Sequence, residues 1–70
     1  MVAENIKRIM IENNLSQKQF ADKIGITYSA LSRYLSNERE PKLCVIVKIA
    51  KVFGVTTDNI LYGKINWINT

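Results

Sequence analysis

Seventy residues hold one domain and no second core, because a chain of this length buries only about 60% of the surface its unfolded form exposes. Apolar residues at 47% exclude a disordered tail, and ten Lys and Arg against six Asp and Glu leave a net +4 that favours an anionic partner where the basic residues cluster. The absence of histidine removes Ser-His and Cys-His pairs and the commonest metal ligand, and the single Cys44 excludes an internal disulfide; no enzyme, metal site or cofactor is expected, and the cytoplasm is the expected location.

Ile6, Ile9 and Met10 recur at i, i+3 and i+4, which predicts an amphipathic helix from about Ala3 to Asn13, ended by Asn13 and Asn14. Charges interrupt the apolar positions of this segment and no small-residue cleavage site follows, so no signal peptide is expected. No apolar run approaches the roughly 20 residues that cross a bilayer.

Ser16 then caps a second helix, and Gln19 three residues on can reach back to the amide of the cap residue, the reciprocal pair of a capping box. Phe20, Ala21 and Ile24 share one face of that helix, with Gln17, Lys18, Asp22 and Lys23 turned away. Gly25 stops the helix in the left-handed region, Ile26 packs the turn, and Thr27 caps a third helix. Leu31, Tyr34 and Leu35 form the apolar face of the third helix, leaving Tyr28, Ser29, Ser32 and Arg33 outside. All four outer side chains can hydrogen-bond, as a reader of a nucleic-acid groove requires.

A polar loop from Ser36 through Asn37, Glu38, Arg39 and Glu40 closes at the only proline, Pro41. A fourth helix is expected from Lys42 to Phe53, ended by Gly54, and Thr56 caps a short fifth helix that contains Asp58, Ile60 and Leu61 and ends at Gly63. Leu43, Ile46, Val47, Ala50 and Phe53 make one stripe of the fourth helix, while Val45 and Val52 point nearly the opposite way. Either these are scattered surface valines, or the tail KINWINT, with Ile65, Trp67 and Ile68, folds over them or joins them in meeting a second subunit.

The segments LSQKQFADKIGIT, SALSRYL, Pro41 after a polar loop, and KIAKVFGVTTDNIL together resemble the Cro and phage-repressor type of helix-turn-helix domain, the XRE family. The resemblance covers roughly Ile6 to Tyr62 and implies an all-α fold, a compact five-helix bundle of the lambda-repressor-like type. It further implies a transcriptional regulator, commonly a repressor, that binds double-stranded DNA as a homodimer on a near-palindromic operator. The expected domain is 1–63, with the motif at 16–35 and a C-terminal tail at 64–70. Two positions depart from the family pattern. Leu35 and Asn37 stand where an acidic residue and, two places on, a glycine are common, and Lys42 stands where a capping serine often begins the fourth helix.

By match to the family, Tyr28, Ser29 and Arg33 occupy base-reading positions, and Ser32 lies beside them as a short, adaptable donor. The planar fork of Arg33 can donate two bonds to guanine O6 and N7. Chemistry alone leaves it open between that role and a solvated arginine paired with a carboxylate. Gln17 matches a phosphate-gripping position at a helix N-terminus. Lys18, Thr27, Asn37, Arg39 and Lys42 are further candidate phosphate contacts, with Glu38 and Glu40 able to draw Arg39 into an ion pair instead. Val45, Val52, Ile65, Trp67 and Ile68 are the candidate dimer or partner surface. The other reading is a protein-binding helical module such as an antitoxin or adaptor, and neither reading calls for a small-molecule ligand or a membrane.

Overall fold

Helix boundaries in this chain are set by short-range hydrogen bonds that the sequence places at regular intervals. The computed structural model describes residues 2–63. Five α-helices follow one another: α1 Val2–Glu12, α2 Gln17–Ile24, α3 Tyr28–Leu35, α4 Leu43–Phe53 and α5 Thr57–Tyr62. Ser16, Thr27 and Thr56 precede α2, α3 and α5 in extended backbone, and each side-chain oxygen accepts from the amide three residues on. Lys42 has the same backbone geometry before α4 but gives no side-chain cap. The expected starts at Ser16 and Thr56 therefore hold, while Lys42 stands just outside α4 and α1 begins and ends one residue earlier than expected.

Four of the helices stop by one device. A left-handed residue follows the last turn, at Asn14 (φ 54°), Gly25 (φ 74°), Asn37 (φ 64°) and Gly54 (φ 66°). The next residue then bonds back five positions: Leu15 N to Met10 O at 2.9 Å, Ile26 N to Ala21 O at 3.0 Å, Glu38 N to Arg33 O at 3.0 Å and Val55 N to Ala50 O at 3.1 Å. Leu15, Ile26 and Val55 also pack against the core, so each stop doubles as an apolar anchor. Glu38 is the polar member of the set, and the end of α3 is accordingly the one left open to solvent.

The core joins all five helices through Ile6 and Ile9 of α1, Phe20, Ala21 and Ile24 of α2, Leu31 of α3, Ile46 and Ile49 of α4 and Ile60 of α5. Tyr34 is buried as well, and Phe53 is half-buried with its ring stacked on Phe20, centroids 5.0 Å apart and planes 4° from parallel. Helix α1 packs on α3 and α5, α2 on α3 and α4, and α4 on α5. The helix-turn-helix unit is thus held from behind by α1 and α4.

The fourth helix corrects the expected stripe. Leu43 is 69% exposed, Ile49 is fully buried, and Val45 is half-buried against the core. The buried axis runs through Ile46, Ile49 and Phe53, roughly 50° from the stripe that began at Leu43, half of one helical residue step. Two bulky isoleucines and a phenylalanine outweigh a single leucine in the first turn. Val45 is consequently covered in part by the domain itself, whereas Val52 keeps 40% of its surface exposed.

Candidate nucleic-acid interface

Four side chains on the outer face of α3 follow from which residues the core takes. Leu31 and Tyr34 are buried, and Leu35 packs partly against the cluster. On a helix this fixes the opposite arc, which carries Tyr28, Ser29, Ser32 and Arg33, all exposed, Tyr28 at 56%. The helix is eight residues long and rigid at both ends. Thr27 Oγ1 accepts from Ala30 N at 3.0 Å at its start, and Ser36 N donates to Ser32 O at 3.0 Å at its end.

The approach to α3 is equally fixed. Gln19 N donates to Ser16 Oγ at 3.2 Å and Ser16 N donates to Gln19 Oε1 at 2.9 Å, so both halves of the capping box are present. These bonds leave the first amides of α2, at Gln17 and Lys18, without an acceptor inside the helix. Gln17 is half-buried and Lys18 exposed at this end. The Thr27 hydroxyl accepts at its oxygen and keeps its hydrogen to donate, which a phosphate oxygen could take.

After α3 the chain turns sharply at Asn37, in the left-handed conformation its substitution for glycine called for. The Arg33 carbonyl gathers three donors here: Glu38 N at 3.0 Å, Ser36 Oγ at 3.2 Å and Arg39 N at 3.3 Å. Glu38 also accepts from Ser36 Oγ at 2.9 Å. Among the described residues the recorded ion pair is Arg8 with Glu12, and neither Glu38 nor Glu40 pairs with Arg39. Asn37 and Arg39 converge on one small pocket with Glu40, Pro41, Tyr34 and the start of α1. Lys42 follows in extended backbone, exposed.

Of the candidate surface on the far side, Val52 is exposed, Val45 is half-buried against the core, and Ile65, Trp67 and Ile68 lie outside the described residues. Two features escaped the sequence. Leu43 is exposed beside Lys42, a position that a periodicity count assigns inward. The guanidinium of Arg8 reaches Asn59 of α5, donating from Nη2 to the side-chain oxygen and, at 3.4 Å, to the backbone oxygen. That bond joins residues 51 apart in the chain, and no local pattern announces it. Among the described residues no helix is long and apolar enough to cross a membrane, and no cluster of His, Cys, Asp or Glu is arranged to hold a metal ion.

The helix-turn-helix family profile matches residues 6–60. The uncharacterised HTH-type transcriptional regulator YqaE of Bacillus subtilis (strain 168) is 35% identical over 66 residues, covering 94% of this chain and 57% of that protein. YonR, an uncharacterised HTH-type transcriptional regulator derived from prophage SPbeta of the same organism, is 33% identical over 63 residues, covering 90% of this chain and 58% of that protein. The cryptic phage CTXphi transcriptional repressor RstR of Vibrio cholerae is 31% identical over 55 residues, 79% of this chain and 50% of the repressor. The chain thus spans between half and three-fifths of the length of these relatives. No solved structure matches the chain at a significant level. A profile match running from the middle of α1 into α5 takes in the whole core as well as the motif, and the chain belongs to the helix-turn-helix family, of the XRE type.

Proposed function

We propose that the chain binds double-stranded DNA and regulates transcription, as a repressor, with α3 in the major groove. The observation that carries this reading is the outer arc of α3: four exposed hydrogen-bonding side chains on a helix whose other face is sunk in the core. In this docking mode the second helix of the motif crosses the backbone while the first residues of the recognition helix meet base edges. Tyr28, Ser29 and Arg33 then read, with Ser32 adjacent, and Arg33 donates in bidentate fashion to a guanine. Gln17, Lys18 and Thr27 grip phosphates at one end of the motif, and Asn37, Arg39 and Lys42 at the other. Contacts of the second kind position the protein, and contacts of the first kind specify sequence.

A homodimer places two copies of α3 in successive major grooves. Val52, α5 and the 64–70 tail are the surface proposed for it, and the repressor name of one relative supports the direction of regulation. Selection from randomised duplex DNA tests both parts. It should enrich an approximately palindromic site with half-site centres about 10–10.5 base pairs apart, one helical turn. Arg33→Ala should relax the preference at one guanine per half-site, by about 1–3 kcal/mol. A single unrepeated half-site would remove the dimer, and no enrichment would remove specific recognition.

A further inference from the structure

The loop after α3 builds a second feature on its inner side. Val2, Ala3, Tyr34, Asn37, Arg39, Glu40 and Pro41 line a pocket of about 180 Å³ between the start of α1, the end of α3 and the loop itself. Tyr34 is 7% exposed, and its hydroxyl makes no hydrogen bond among the described residues. Its O–H is therefore left to bond water or a ligand, and Tyr34 lines the pocket. Two further residues with donor side chains, Arg39 and Asn37, line the same space, and Arg39 has no ion pair among the described residues. The pocket also includes the first turn of α1, an eleven-residue helix whose leading amides have no acceptor within the helix. Glu40 is the one acidic group on the wall.

The lining thus combines donor side chains, on Tyr34, Asn37 and Arg39, with apolar ones, on Val2, Ala3 and Pro41. The volume falls below the roughly 300–1,000 Å³ of pockets that take drug-sized ligands. We propose that this pocket binds a small organic acid, with its carboxylate on Arg39 and the Tyr34 hydroxyl and a short aromatic or branched body against Val2, Ala3 and Pro41. A bare inorganic anion leaves the apolar wall unused, and a neutral body of the same shape leaves Arg39 unneutralised. Asn37 and Arg39 are also candidate phosphate contacts, so an occupied pocket withdraws two groups from DNA and weakens its binding; this consequence rests on the DNA reading above. The ligand then acts as an inducer seated within the DNA-binding domain.

Benzoate is a suitable probe, with benzamide, acetate and inorganic phosphate as controls, each titrated into the isotopically labelled full chain and followed by amide resonances. Benzoate should give saturable shifts confined to Ala3, Tyr34, Asn37, Arg39 and Glu40, with the three controls about tenfold weaker or more. Arg39→Gln and Tyr34→Phe should each weaken benzoate about tenfold with all distant resonances unmoved, which separates lost binding from lost folding. Phosphate matching benzoate would reduce the site to a general anion spot and overturn the proposal. Saturable shifts absent from these residues, or shifts retained in both variants, would overturn it as well. In a second arm at matched ionic strength, benzoate should raise the Kd of the wild type for duplex DNA more than acetate does and leave that of Arg39→Gln unmoved. Benzoate that saturates the pocket without changing DNA affinity overturns the inducer role, and a chain that takes benzoate but binds no duplex keeps the pocket and retires the DNA reading.

Discussion

Lys42 shows at a single position how stability and binding pull apart. Ser16, Thr27 and Thr56 cap their helices with a side-chain oxygen, and Lys42 sits in the same extended backbone without one. Lys42→Ser should therefore supply the missing acceptor at the start of α4 and stabilise the fold by about 1 kcal/mol, a rise of several degrees in Tm by calorimetry. The same change removes a cation beside the expected path of DNA phosphates. Affinity for duplex should fall and the salt slope should shrink by about one, measured by anisotropy. A variant that is more stable and binds as well as the wild type would take Lys42 out of the interface. Asn37 makes the complementary point. Its left-handed conformation was legible because asparagine is the usual stand-in for glycine, whereas the pocket that it lines with Val2 was not, since that residue is 35 positions away.

At the scale of elements, the six-residue α5 is too short to be helical alone and is held by what it touches. Ile60 is fully buried, Asn5 Nδ2 donates to the Ile60 carbonyl at 2.8 Å, and Arg8 bonds Asn59. Asn5→Ala should leave that carbonyl without its donor and cost about 1–2 kcal/mol. The loss should be local: native-state hydrogen exchange should quicken in α5 while the amides of α2 and α3 keep their protection. Uniform quickening would mean that α5 and the motif open together. Helix order, caps and stops could be read from the sequence because each depends on residues three to five apart, as at Ser16 with Gln19 or Thr56 with Asn59. The facing of α4 could not. Periodicity reports that a helix has an apolar arc, but with Val45, Ile46, Val47, Ile49, Ala50 and Val52 all apolar, only the positions of Phe20 and Ile60 decide which arc turns inward.

At the scale of the whole molecule, the domain divides into a core that all five helices share and an outer arc of α3 that contributes nothing to it. The four side chains on that arc add little to folding, and their type is therefore free to serve recognition. The division was visible in the sequence through Leu31 and Tyr34, whose spacing fixes what remains outside. How a second copy would pair was less visible, because Val45 is half-buried against the core and Ile65, Trp67 and Ile68 lie outside the described residues. The most direct test of the account is the affinity for duplex DNA as a function of salt, for the wild type and for Gln17→Ala combined with Arg33→Ala. The account predicts that log affinity falls linearly with log salt, by about 0.9 for each phosphate neutralised, and that the double variant binds markedly more weakly at every salt concentration. Failure to bind duplex at low salt, or affinity in the double variant equal to the wild type, would contradict it.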